Sequence, residues 1–359
     1  MLFDLNESEK SKVTALFAQH EKNIDYLLYL QPLIWQKLSK TPTKLDLDDP
    51  YKKRDFLFES LEKTNPYPND FVKKNIKWDT KLLRVEDFKT NPYLKKLDSL
   101  SFNEDDWSLK GKKLEAYSLF PYEEEYHYAS NYLLKTSLAF FDKDYIYPSI
   151  SLYNNEWMSL NPYEIRTMET PILLARGRVL TLGLGLGYFA YMAHLKDEVK
   201  EVHIVEMDKG LINVFEKYLL PLFEHPEKIH IHKADAFSFI QNIKDKDYDF
   251  IFSDLWHDAS DGLPMYLKLK QKLCAFKYTQ CTYWIESALV TYLRTLFIGV
   301  MRDEYYQNEC EYSDIQLPIK EKLKNHIIHN SYDLDNLLSI KGLSILYDNW
   351  FLFYKKISN

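Results

Sequence analysis

R-G-R-V-L-T-L-G-L-G-L-G-Y-F-A-Y-M-A, from Arg176 to Ala193, decides the fold. The chain has 359 residues and only nine glycines, yet four of them fall between Gly177 and Gly187. A residue type avoided elsewhere and gathered here marks backbone that must turn sharply or approach something closely. Val179 to Leu182 is apolar and strand-like, and Tyr188 to Leu195 has helical spacing. A strand, a glycine turn and a helix make the layout of a nucleotide-cofactor loop, where backbone amides and a helix end face a ligand.

The same alternation continues outward. Strands are expected at Glu201 to Val205, Lys228 to His232, Tyr248 to Ser253 and Thr282 to Ile285. Helices are expected at Gly210 to Leu220, Ala236 to Ile243, Met265 to Leu273 and Ser287 to Tyr305. Repeated units of this kind predict an α/β fold, a Rossmann-like doubly wound parallel sheet. Ligands then sit at the carboxyl ends of the strands. Upstream, Pro162 to Leu174 reads as an amphipathic helix, and Y-I-Y-P-S-I-S-L-Y from Tyr145 as a strand. Glu7 to Leu38 has helical spacing that Pro32 divides, and Asp48 to Asn75 reads as broken helix. Thr80 to Phe88 and Lys112 to Phe120 are short mixed segments with strand character. The expected division is a mainly helical, partly mixed N-terminal domain at 1–150, the sheet domain at 151–305, and a C-terminal extension at 306–359 that packs on it.

Composition sets bounds on function. A net charge of −7 without a dense basic stretch disfavours nucleic acid and anionic membrane as partners. Three sparse cysteines, Cys274, Cys281 and Cys310, have no metal or redox spacing and suit a reducing compartment. The N-terminus lacks the order of a signal peptide, and Ser287 to Met301 is too short to span a bilayer, so a cytoplasmic protein is expected.

The chemistry concentrates at strand ends. Gly183, Gly185 and Gly187 give G-x-G-x-G, with Tyr188 where a dinucleotide fingerprint needs its third glycine, and no P-loop Lys-Ser/Thr follows. Glu206 ends the second strand in V-H-I-V-E-M-D, where a carboxylate can accept from ribose hydroxyls. Asp235 ends the third in H-K-A-D-A-F, placed to accept from an adenine amino group beside the Ala236 amide. Asp254 ends the fourth in Y-D-F-I-F-S-D and faces the reacting end of a ligand lying across the sheet. Taken singly, each acid reads equally as a solvated strand end. Taken together after a glycine turn, they form a constellation. The run D-L-W-H-D-A-S-D-G that follows offers Asp254, His257 and Asp258 for removing a proton from an acceptor. It reads also as a helix-capping turn, because Ser260-Asp261-Gly262 is strong turn chemistry. Glu286 is read as able to reach the site or as a core-edge residue. His203, His230 and His232 are read as structural, since no acid cluster of ligand type is apparent near them, so no metal is expected.

The pattern G-L-G-L-G, V-E-M-D, A-D-A-F, S-D resembles class I S-adenosylmethionine-dependent methyltransferases, and within them the spermidine-synthase-like branch. L-N-P-Y-E-I-R-T-M-E-T-P-I is similar to the Tyr-x-Glu helix that precedes the first strand in aminopropyltransferases. The likeness covers about Ser151 to Tyr266. It implies that Gly183, Leu184, Gly185 and Gly187 line the methionyl and ribose part. It also implies that Glu206 and Met207 flank the ribose, that Asp235 and Ala236 bind adenine, and that Asp254 sits beside the sulfonium. Tyr163 and Glu164 would close over the acceptor, although they also read as an ordinary helix start.

Two departures weigh on the reaction. Leu186 stands where aminopropyltransferases carry an amine-binding Asp, and D-L-W-H-D is one residue longer than their Asp-Ser-Ser-Asp. From these, the expectation is methyl transfer from S-adenosylmethionine to a small-molecule acceptor, with Asp254, His257, Asp258 and Tyr163 as its catalytic residues. The alternatives are aminopropyl transfer from decarboxylated S-adenosylmethionine and a non-catalytic adenosyl-ligand-binding protein. A homodimer follows from the resemblance.

Overall fold

The structure is a computed structural model that describes residues 7–49, 52, 55–56, 59, 80–126, 134–308 and 310–329. Twelve strands are present among them. Seven come first: β1 (Thr80–Leu83), β2 (Phe102–Glu104), β3 (Trp107–Leu114), β4 (Phe120–Tyr126), β5 (Leu134–Phe141), β6 (Tyr145–Leu152) and β7 (Asn155–Ser159). Five follow: β8 (Gly177–Leu182), β9 (Val199–Glu206), β10 (Ile229–Lys233), β11 (Phe250–Ser253) and β12 (Gln280–Tyr283).

The last five form one sheet in the order β10-β9-β8-β11-β12, every pair parallel. This is the expected Rossmann-like sheet. Its central strands β8 and β11 are buried along nearly their whole length, as parallel strands covered on both faces must be. The order reverses between β8 and β11, so their carboxyl ends splay apart into a crevice. Helices Tyr188–His194 and Ala236–Gln241 lie close to their expected bounds, and Pro162–Leu174 coincides with its own. Helix Ala259–Leu273 starts six residues before its expected Met265. Pro264 suggests a break there, but Asp258 and Asp261 form a reciprocal capping box that starts the helix earlier.

The helical N-terminal region is present as Glu7–Leu30, followed by a 3-10 turn, Gln31–Leu33, that contains Pro32. Val13 and Phe17 of that helix join the core of the parallel sheet. Between residues 80 and 159 the backbone is chiefly β. β1-β5-β4 form one sheet and β2-β3-β6-β7 another. The strand expected at Thr80 to Phe88 stops at Leu83, and Val85–Lys89 is helical. W-S-L-K-G-K-K-L has poor strand propensity, yet it pairs with β6 at eight positions, and those partners decide its conformation. The helical reading of Asp48 to Asn75 and most of the expected C-terminal extension lie outside the described residues. Among the described residues no helix is long and apolar enough to cross a membrane.

Candidate active site

All four glycines of the opening stretch adopt left-handed backbone, with φ of +62° at Gly177, +99° at Gly183, +51° at Gly185 and +74° at Gly187. Gly183 needs its missing Cβ most. A carbon there would lie 2.0 Å from the Asp254 carbonyl oxygen, because the loop after β8 presses on the end of β11. Two backbone bonds hold that approach: Gly183 N–H donates to Val205 O at 2.9 Å, and Asp254 N–H to Leu182 O at 2.9 Å. Gly187 caps helix Tyr188–His194, and a Cβ there would meet the Phe215 ring at 2.6 Å.

The acids at the strand ends shape this loop and its neighbours. Glu206 Oε2 accepts from the Leu184 amide at 3.3 Å, tying the end of β9 to the glycine loop. Its Oε1 accepts the Met207 and Asp208 amides at 2.7 and 2.8 Å. A carboxylate offers about four acceptor sites, so room is left for a ligand hydroxyl. Met207 beside it is exposed. Asp235 caps helix Ala236–Gln241, its Oδ1 accepting from the Ser238 amide and hydroxyl at 2.8 Å each, which leaves Oδ2 for another donor.

Asp254 gathers a second acid. Helix Pro162–Leu174 begins with Asn161 as cap, whose side chain accepts from the Tyr163 and Glu164 amides at 2.9 and 3.0 Å. Burial, and then the charges of Asp254 and Glu156, push the Glu164 carboxyl up to about 8. Burial pushes the Asp254 carboxyl up to about 7, against the pull of His257. Two carboxyls raised together in a crevice favour a positively charged guest, which lets both ionise.

A cavity of about 10 Å³, room for one water, is lined by Asp254, Gly183, Leu184, Tyr188 and Met158, among others. Met158 is a residue the sequence did not single out. Its thioether accepts from the Leu186 amide at 3.3 Å and lies where a Cβ on Gly185 would fall. Glu156, also unforeseen, accepts from Ser149 and Lys112 at 2.9 and 2.8 Å. Both lie on β7, whose approach to the glycine loop depends on pairing with β6, which no local motif announces.

The remaining expected residues divide. Tyr163 stands in the first turn of its helix beside Glu164. Asp258 Oδ1 accepts from the Ser260 amide and hydroxyl and from the Asp261 amide, which is the capping arrangement. Burial raises the Asp258 pKa, but these bonds outweigh it and hold the group below its ordinary value. His257 is exposed, with Nδ1 3.1 Å from Asp261 Oδ2 and its ring edge-on to Trp157. Trp256 is buried, and its indole packs where a Cβ on Gly262 would fall. Glu286 binds Tyr266 and Lys270 at 2.7 Å each.

Residues 176–275 match the model of the spermine/spermidine synthase domain. Among solved structures, the chain is similar to spermidine synthase from Thermotoga maritima, with 16% identity, 41% of this chain and 54% of that chain covered, and a TM-score of 0.31. It is also similar to a spermidine synthase in complex with the transition-state analogue AdoDATO, at 12% identity, 55% and 61% coverage and a TM-score of 0.32. The aligned part thus spans little more than half the length of those chains. No curated protein matches.

The domain match supports the spermidine-synthase-like branch and overturns the expectation of methyl transfer. That expectation leaned on Leu186. Leu186 is fully buried, its carbonyl accepts from Tyr93 OH at 2.6 Å, and it does not line the cavity beside Asp254. Its apolar character therefore reports core packing and carries no information about which acceptor the crevice takes. The lengthened D-L-W-H-D run is likewise accounted for by the cap of helix Ala259–Leu273.

Proposed function

We propose that this chain is an aminopropyltransferase that binds decarboxylated S-adenosylmethionine along the strand ends from β8 to β11 and passes its aminopropyl group to a small amine. The match of residues 176–275 to the spermine/spermidine synthase domain carries the reading. The pair Glu164 and Asp254 supports it, since a cationic amine and a cationic sulfonium both need carboxylates.

The residues fit such a donor. Gly183 leaves backbone open where any side chain would collide, Glu206 keeps acceptor capacity for ribose hydroxyls, and Asp235 Oδ2 can accept from an adenine amino group. Met158 must turn aside, which an unbranched thioether does readily. The donor supplies an electrophilic carbon on a positive sulfur. Asp254 and Glu164 hold the amine in line with that carbon, so that positioning supplies much of the rate. The attacking nitrogen gives a proton to one of these carboxylates, and the lone pair so freed forms the C–N bond. The C–S bond breaks as the C–N bond forms, and the sulfur keeps the electron pair of the broken bond. The raised pKa values of the carboxylates suit them to receive the proton near neutral pH.

Thermal unfolding with a panel of ligands tests the donor. Decarboxylated S-adenosylmethionine and methylthioadenosine at a hundred times their dissociation constants are expected to stabilise the chain by about 2.7 kcal/mol. NAD should leave the transition unmoved. No shift with any adenosyl compound would remove the reading. Asp235→Ser, which keeps a helix cap, should weaken donor binding by roughly 1–3 kcal/mol through the lost adenine contact. Titration calorimetry with methylthioadenosine measures it, and unchanged affinity would move the adenine elsewhere.

A further inference from the structure

β9 and β10 place four ionisable side chains on one face of the sheet. Glu201 and His203 are two apart on β9, so they share that face. His230 is the registered neighbour of His203 on β10, and His232 follows two residues on. Glu201, His203 and His230 each bring one ligand-type atom to within 4.8 Å of the other two.

The geometry points to a zinc site made by Glu201 Oε2, His203 Nε2 and His230 Nε2, with its fourth position open to solvent. Three observations carry this, none drawn from the donor site. First, His203 is 7% exposed, and its Nε2 is buried without a hydrogen-bond partner. That nitrogen lies 3.4 Å from Glu201 Oε2, an ion-pair distance without the alignment of a well-formed hydrogen bond. A buried nitrogen so poorly satisfied gains from any group that binds it squarely.

Second, the spacings suit a tetrahedral ion. Ligands about 2.0–2.1 Å from zinc stand about 3.3–3.4 Å from one another. His203 Nε2 and His230 Nε2 lie 3.4 and 3.5 Å from Glu201 Oε2. Along the third edge the two histidines bring ligand-type nitrogens within 4.8 Å of each other, and the His230 side chain, 44% exposed, has room to turn toward the ion.

Third, outer partners already orient two of the three ligands. His203 Nδ1 is 2.8 Å from His232 Nε2. When that Nδ1 carries the proton and donates it to His232, Nε2 presents its lone pair to the ion, as metal-bound histidines require. Arg178 Nε binds Glu201 Oε1 at 2.6 Å and turns Oε2 toward the histidines. Two imidazoles and one carboxylate with an open position are a donor set that zinc takes. The sequence reading missed this set because the acid lies on the strand preceding the paired histidines, and only strand register brings it to them.

Isothermal titration of the tag-free full chain, stripped with chelator, with zinc sulfate tests the proposal. One zinc per chain is expected. His230→Ala and Glu201→Gln, both at partly exposed positions, should weaken it by at least the roughly 10- to 100-fold that losing an outer partner costs. His232→Ala should weaken it within that range, and His225→Ala, exposed and outside the cluster, should leave it unchanged. Far-UV circular dichroism checks that each variant is folded. Cobalt substitution of the parent chain gives an independent readout, with a tetrahedral visible spectrum expected. No tight zinc in the parent chain, or zinc held equally by folded His230→Ala and Glu201→Gln, would overturn the site.

Discussion

Asp254→Asn is expected to make the ligand-free chain more stable above about pH 7 while slowing aminopropyl transfer by roughly 10²- to 10⁴-fold. Both effects follow from one carboxyl. Burial raises the Asp254 pKa to about 7, and burial together with Asp254 and Glu156 raises that of Glu164 to about 8. Unfolded carboxyls release their protons near pH 4. Between about pH 4 and these raised values the folded chain holds protons that the unfolded chain has lost. Stability therefore falls as pH rises through that window and levels off above it. Asparagine removes the part of the slope that Asp254 contributes. The expected gain at pH 8.5 is on the order of 2 kcal/mol, from a shift of a few units shared between coupled groups. Chemical denaturation across pH 5 to 9 measures it, alongside transfer rates at pH 8. A variant less stable than the parent at pH 8.5 would mean that the carboxylate is already compensated within the protein. For a cationic amine the sign reverses: its affinity should rise with pH through 7 to 8 as both carboxyls ionise.

Gly183→Ala is expected to have the largest effect on folding, costing roughly 3–5 kcal/mol. Its φ of +99° lies outside the range where even left-handed alanine is comfortable, and the new carbon would sit 2.0 Å from the Asp254 carbonyl oxygen. Neither strand can retreat without breaking the bonds from Gly183 N–H to Val205 O and from Asp254 N–H to Leu182 O. Gly185→Ala is the internal comparison. Its φ of +51° is near the left-handed minimum, and the obstructing atom is the Met158 sulfur at 2.2 Å, the end of a flexible side chain. About 1–2 kcal/mol is expected there. Equal losses at the two positions in denaturant titrations would show that the strain sits elsewhere in the loop.

The parallel sheet was legible because its signals are local. Gly183 to Gly187 punctuate a strand and a helix, and Glu206, Asp235 and Asp254 stand at or just past the ends of the next three strands in sequence. The β-rich region at 80–159 was legible only in part: Tyr145 onward alternates and is β6, whereas β3 holds its shape through β6, more than thirty residues away. The site divides the same way. Gly183, Glu206, Asp235 and Asp254 stand at strand ends as expected, whereas Met158 and Glu156 arrive from a hairpin. Leu186 occupies a motif position that reads as ligand-facing, yet its side chain is buried in the core. Asp258 carried two readings in the sequence, and its hydrogen bonds are those of a cap.

The proposed reaction is tested most directly by the adenosyl product formed with amine present. Aminopropyl transfer leaves methylthioadenosine, and methyl transfer leaves S-adenosylhomocysteine. The chain should be incubated with each donor and a panel of small diamines, and the products separated by liquid chromatography with mass detection. Methylthioadenosine formed from decarboxylated S-adenosylmethionine, in equal amount with an aminopropylated amine and lost in Asp254→Asn, is the predicted result. Donor binding without turnover for any amine, or S-adenosylhomocysteine as the only product, would contradict it.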